Sequence, residues 1–182
     1  MVAHGVRFKA EDIWDAPEDG NVYEVIDGEL YVTTAPAWRH QRALNRLNAP
    51  IAHSVFTRGL GEVVTAPTGV VLEGGSGVEP DLLFLSRERL HLISERGVEG
   101  PPDLVVEVLS PSTEARDRGI KMRRYAASGV PHYWLVDLDA PALEAYRLGA
   151  EGYELVGRHG PGSLFRPALF PGLEIPLDDL WS

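Results

Sequence analysis

The chain has 182 residues, enough for one domain that buries about two thirds of its unfolded surface. Hydrophobic residues make up 44% and charged residues 24%, which excludes a disordered chain, and the lack of cysteine excludes thiolate zinc sites, iron–sulfur clusters, thiol nucleophiles and disulfide switches. Asp and Glu number 27 against 17 Lys and Arg, a formal charge of -10, which argues against a non-specific coat for nucleic acid or anionic lipid.

The amino-terminal stretch Met1 to Arg7 lacks the apolar run of a signal peptide, and no apolar segment approaches about 18 residues. A soluble, cytoplasmic protein without membrane contact is expected. Phe8 to Asp15 suits one or two helical turns. Tyr23 to Val32 reads as two strands around Asp27-Gly28, the strongest hairpin signal in the chain. From Ala37 to Arg58, Leu44, Leu47, Ile51 and Val55 recur at helical spacing, with Pro50 expected to kink or divide the helix and His40 on its inward face. Glu62 to Ala66 and Gly69 to Glu73 look like strands of a meander, and Gly74 to Gly77 a loop.

Asp81 to Leu85 is a short apolar strand, followed by a polar, partly helical segment. Leu104 to Leu109 is a near-continuous apolar run of the kind covered on both faces. Ser110 or Ser112 can cap a helix that ends at Gly129, and Tyr133 to Asp137 forms the next strand. The helix between them makes a crossover, so these two strands should be parallel neighbours. Leu143 to Leu148 and Tyr153 to Arg158 then form a hairpin. The whole chain, 1–182, reads as a single domain with a core over about 22–138 and a carboxy-terminal hairpin and tail over 139–182.

Glu107 is the most informative residue, an acid inside Leu104-Val105-Val106-Glu107-Val108-Leu109. A buried carboxylate must be paired, protonated or bound to a cation. Alternation puts Val105, Glu107 and Leu109 on one face, and Asp81 opens a second apolar strand, so two carboxylates converge if those strands are neighbours. Lys121, on the following helix, can lean back towards the strand end, and Glu24 is a third acid. This set, without Cys or paired His, suits a hard divalent cation such as Mg2+ or Mn2+. Plainer readings stand beside it. A buried base would satisfy Glu107 as well as a metal would, Asp81 could bond a backbone amide, and Asp117 stands four residues before Lys121 in the order of a surface pair. Two basic segments, with Arg39, Arg42, Arg46 and Arg58 in one and Arg116, Arg118, Lys121, Arg123 and Arg124 in the other, could contact phosphates or simply be solvated helix faces.

Over nearly its whole length, from Tyr23-Glu24-Val25-Ile26-Asp27-Gly28-Glu29-Leu30 to Pro171-Gly172-Leu173-Glu174-Ile175-Pro176-Leu177, the chain resembles the Uma-two family, a restriction-endonuclease-like group of the PD-(D/E)XK nuclease superfamily. The most specific pieces are Glu79-Pro80-Asp81-Leu82, the stretch Pro102 to Thr113 around Glu107, and Lys121 with Tyr125 to Asp137. The resemblance implies an α/β fold with a mixed central sheet flanked by helices. It also implies Glu24, Asp81 and Glu107 as acidic metal-site positions, Lys121 as the basic one, and His40 and Gln41, a His-Gln pair at the helix start, as contacts either to the metal-site side chains or to the substrate. One departure stands out. Two residues after Glu107, where the superfamily pattern has Lys, this chain has Leu109, so the basic role falls to Lys121.

Two functions from different classes follow. One is a metal-dependent endonuclease, with Asp81, Glu107 and Glu24 at the metal and His40, Gln41, Arg39, Arg116 and Arg124 on the substrate. Its partner would be nucleic acid, DNA ahead of RNA, and a homodimer would bring two sites onto one duplex. The other is a binding or assembly module that keeps the fold without the chemistry, in which Glu107 and Lys121 merely pair.

Overall fold

The computed structural model describes residues 7–181, so the amino-terminal residues 1–6, on which the signal-peptide expectation largely rests, lie outside it. A short 3-10 helix, Ala10–Asp15, leads to the expected hairpin of β1 (Val22–Ile26) and β2 (Glu29–Thr33). Its turn holds Asp27 and Gly28 at φ 57° and 82°, the left-handed pair that matches strand twist in a two-residue turn. Helix α1 (Trp38–Arg58) follows, then β3 (Gly61–Thr65), β4 (Val70–Leu72), β5 (Ser76–Val78), β6 (Leu82–Ser86) and a 3-10 turn, Arg87–Leu92. Next come β7 (Val98–Glu99) and β8 (Leu104–Val108). After β8, α2 (Glu114–Arg116), a π-helical turn (Asp117–Lys121) and α3 (Met122–Ala127) run on as one helical segment. The chain closes with β9 (His132–Asp137), β10 (Ala142–Gly149), β11 (Gly152–His159), β12 (Leu164–Phe165), β13 (Ile175–Pro176) and α4 (Asp178–Trp181).

A six-stranded sheet in the order β11-β10-β9-β8-β6-β3 forms the centre, and β8 and β9 are parallel neighbours inside an otherwise antiparallel arrangement. The crossover between them is the helical segment carrying Lys121. One face of this sheet packs on α1 through Leu44, Leu47, Ile51 and Val55, together with Leu104, Val106, Val108 and the tail residues Phe165, Phe170 and Ile175. The opposite face, with Val105, Leu109, Leu83, Leu85 and Leu135, packs on Tyr125 and on Ile26, Val70, Leu72 and Val78 of a second sheet, ordered β2-β1-β5-β4-β7. Both faces of β8 are therefore covered, as its apolar run requires. The mixed α+β architecture expected from the sequence is present.

Four local expectations need correction. Helix α1 is not divided at Pro50, because Leu47 and Ile51 on either side of it are fully buried and hold both halves against the sheet. That burial offsets the roughly 3 kcal/mol that an interior proline costs. The segments expected to form a meander belong to different sheets, β3 to the first and β4 to the second, with a cis Ala66–Pro67 bond between them. Ser76 and Gly77 are not loop but the start of β5, which pairs with both β1 and β4. Neither Ser110 nor Ser112 caps the helix. Their hydroxyls bond each other at 3.1 Å, while the Ser110 carbonyl accepts the amides of Thr113 and Glu114. Among the described residues, no helix is long and apolar enough to cross a membrane.

Candidate active site

The antiparallel register of β6 on β8 pairs Leu82 with Val106 and Leu83 with Val105, so one step further Asp81 stands opposite Glu107. The expected convergence of two carboxylates is present. Asp81 follows Pro80 at the mouth of β6, where its Oδ2 accepts the Val108 amide at 2.7 Å and lies 3.1 Å from His40 Nε2. His40 comes from the first turn of α1. Burial pulls its pKa down, but the hydrogen bond and charge of Asp81 more than offset this, and the net shift is upward. Its buried Nδ1 has no hydrogen-bond partner among the described residues.

Lys121 is 3% exposed and is held by acids from three elements. Its Nζ lies 2.7 Å from Glu107 Oε1 on β8, 2.8 Å from Glu24 Oε1 on β1 and 3.6 Å from Asp117 Oδ1 on its own helical turn. Burial alone would lower the affinity of this ammonium for its proton. Glu107, Glu24 and Asp117 reverse that and push its pKa well up. For Glu107 and Asp117 burial dominates over the attraction of Lys121, and both carboxyls are raised, Glu107 strongly. The Tyr125 hydroxyl donates to Glu107 Oε1 at 2.8 Å, and Tyr133 donates to the Asp117 carbonyl at 3.0 Å. Glu24 Oε1 also accepts the Glu79 amide, and its Oε2 is 3.4 Å from Arg116. Arg116 donates to Thr33 Oγ1 and lies over the Tyr31 ring.

These groups surround a cavity of about 470 Å³, walled by the approach to β1, the link from β2 to α1, the start of β6, the end of β8 and the turn into the helix. Five carboxylates, those of Glu24, Glu79, Asp81, Glu107 and Asp117, line it against two permanent cations, Lys121 and Arg116. The shortage of positive charge is met by protonation, consistent with the raised carboxyls, or by a bound cation. Of the residues expected at the substrate, His40, Gln41 and Arg116 are in the wall. Arg39 and Arg124 lie outside it, paired with Asp139 and Asp27.

Asp117, Tyr125, Tyr133 and Glu79 were not anticipated as site residues. Asp117 is no surface partner of Lys121; the π turn buries both. Asp117, Lys121 and Tyr125 fall four residues apart, which a helical reading places on one stripe, and that spacing is the signal that could have found them. A π turn widens the helix by one residue per turn and is often found at functional sites, but nothing in residue type announces it. Leu109 packs in the core beside Tyr125, so the usual lysine position is filled by apolar contact while Lys121 reaches Glu107 from the helix.

The chain matches the family model of Uma2, described as "Putative restriction endonuclease", over residues 10–178. It belongs to the Uma2 family. A crystal structure from Anabaena variabilis, described as a "putative nuclease belonging to DUF820", is 18% identical, covers 96% of this chain and is itself covered over 97% of its length, with a TM-score of 0.77. At that identity the likeness shows the fold alone. None of the curated proteins matches the chain. The Uma2 assignment and the nuclease-like fold agree with the resemblance drawn from Glu79-Pro80-Asp81 and the Glu107 strand.

Whether a divalent cation fits can be judged from the donors. They are carboxylate oxygens, the hard ligands that Mg2+ and Mn2+ take. Among the described residues no three His, Cys, Asp or Glu side chains converge into a protein-only cage. Mg2+ does not require one, since it commonly takes one or two carboxylates and keeps waters or substrate phosphate oxygens for the rest. Asp81 and Glu107, opposed on one cavity wall, meet that lesser demand.

Proposed function

We infer that this Uma2 chain hydrolyses phosphodiester bonds of nucleic acid as a metal-dependent endonuclease, with Asp81 and Glu107 holding the cation. The observation that carries this reading is the opposition of Asp81 and Glu107 across one register step, with Lys121 2.7 Å from Glu107 in the same cavity. A divalent cation bound there would neutralise charge developing on the phosphoryl group and lower the pKa of an attacking water.

The chain's own residues divide the remaining work. Lys121 is held as an ammonium by Glu107, Glu24 and Asp117, so it cannot accept a proton from water. It stabilises negative charge on the oxygens around phosphorus. Glu24 completes the carboxylate set by anchoring Lys121 and Arg116. His40 fixes Asp81, and with Gln41 and Arg116 it faces the incoming phosphodiester. Arg39 and Arg124 are already engaged by Asp139 and Asp27, so a phosphate would have to displace those acids to use them. The test is cleavage of labelled DNA and RNA in Mg2+ or Mn2+. The reading expects activity in the wild type and none in a folded Asp81→Ala variant.

A second reading has its own observation. Lys121 satisfies Glu24 and Glu107 internally without a ligand, which is how a binding module retaining the fold would neutralise a buried acidic cluster. The negative charge of the whole chain adds to it.

A further inference from the structure

Asp81 and Glu107 meet their protein partners in the same way. The Val108 amide and His40 Nε2 both lie on Asp81 Oδ2, and the Tyr125 hydroxyl and Lys121 Nζ both lie on Glu107 Oε1. Among the described residues, Asp81 Oδ1 and Glu107 Oε2 accept no hydrogen bond, and both carboxylates line the cavity. Each acid thus has one oxygen held by the protein and one left for a ligand.

Lys121 alone cannot keep Glu107 in that arrangement. Its ammonium ends a flexible four-carbon stem and is shared with Glu24 Oε1 at 2.8 Å and Asp117 Oδ1 at 3.6 Å. The Tyr125 hydroxyl has a single proton, and it donates that proton to Glu107 Oε1 at 2.8 Å. The phenol is also rigidly held. Tyr125 is fully buried on α3, its ring centroid lies 5.2 Å from that of Tyr133 on β9, and Tyr133 in turn stacks at 5.5 Å on Tyr153 of β11. The hydroxyl of that last ring donates to the Val130 carbonyl at 2.8 Å. A stack of three rings, anchored in one helix and two strands, therefore fixes where the Tyr125 proton points.

We propose that Tyr125 is a positioning residue for the cation, holding Glu107 Oε1 so that Oε2 stays turned to the cavity as the ligating oxygen. This rests on the metal-dependent reading above and assigns the residue that prepares its ligand. Carboxylates that bind metal are themselves held by hydrogen bonds, and loss of such a partner typically costs about 10- to 100-fold in metal affinity.

A tyrosine that merely satisfies its hydroxyl in the core would behave differently, and Tyr153 supplies the comparison. Tyr125→Phe and Tyr153→Phe each remove one hydroxyl from the same stack and keep the ring, but only the first touches a cavity carboxylate. Lys121 still satisfies Glu107 in Tyr125→Phe, so the fold is kept, which circular dichroism checks. The measurement is isothermal titration calorimetry with Mn2+ alone, without nucleic acid, on wild type, Tyr125→Phe, Tyr153→Phe and Asp81→Asn.

The expected result is that wild type binds Mn2+, that Asp81→Asn loses binding, that Tyr125→Phe binds about 10- to 100-fold more weakly, and that Tyr153→Phe matches wild type. Unchanged affinity in Tyr125→Phe, or an equal loss in Tyr153→Phe, overturns the positioning role and leaves the metal-dependent reading standing. Failure of the wild type to bind Mn2+, or binding that persists in Asp81→Asn, overturns both.

Discussion

Lys121 and Glu107 meet at 2.7 Å in a site where both side chains are almost wholly buried. They come from adjacent elements of one crossover, the central strand β8 and the helical segment that follows it. The lysine therefore reaches the strand carboxylate from outside the strand, and Leu109, the next residue on that face of the chain, is free to pack in the core.

Removing the cation from this pair leaves three buried acids without it. Lys121→Met is expected to lower stability by about 3–5 kcal/mol, the cost of breaking a buried pair from one side. Adding Glu107→Gln should restore part of that loss, because the two residues share one interaction. Urea denaturation of the two single variants and the double variant measures the coupling. A Lys121→Met variant as stable as wild type would mean that the acids are neutralised by protonation alone.

How much of this was legible in the sequence depends on the range of the interactions. The β1–β2 hairpin is local and is announced by Asp27-Gly28. The parallel pair β8 and β9 is announced by two apolar runs with a helix between them. Glu107 stands out because an acid in such a run has to be explained. The second sheet is harder to read, because β4, β5 and β7 are only two or three residues long, and the pairings of β5 with β1 and of β7 with β4 join strands far apart in the chain. Such short strands leave almost no periodicity. Asp117 stands where a regular helix offers Lys121 a surface partner, and only the π turn, which no residue type announces, buries the two together. Pro50 misled for the opposite reason: a local penalty was outweighed by burial on both sides.

A cation that binds only the folded protein stabilises it by mass action, by about 2.7 kcal/mol at a concentration one hundred times its dissociation constant, and so raises the melting temperature. Millimolar Mg2+ or Mn2+ is expected to raise the melting temperature of the wild type, and Asp81→Asn is expected to abolish the shift. Scanning calorimetry with and without metal checks this. No shift in the wild type would favour the binding-module reading.

Away from the cavity, Arg118 ties Glu114, Asp137 and Glu144 together, and Glu144 also accepts from Tyr146. Burial pushes the Glu144 carboxyl up, but its bonds to Arg118 and Tyr146 outweigh this and hold it below its ordinary value of 4.5. The unfolded chain thus takes up this proton first as the pH falls. The stabilisation from Glu144 is complete above 4.5 and is lost as the pH drops through the lower folded value. Glu144→Gln should be less stable than wild type at pH 7, with the gap closing as the pH falls below the ordinary carboxyl value of 4.5. A gap that stays constant across thermal melts from pH 7 to pH 3 would contradict this.

The most direct measurement is cleavage of labelled single-stranded DNA, duplex DNA and RNA in Mg2+ or Mn2+ by wild type beside Asp81→Ala, Glu107→Gln and Lys121→Met. Each variant should first be shown to be folded by circular dichroism. Metal-dependent cleavage by wild type is expected, with its loss in the Asp81 and Glu107 variants and a severe reduction in the Lys121 variant. Cleavage at the wild-type rate by folded Asp81→Ala or Glu107→Gln would contradict it.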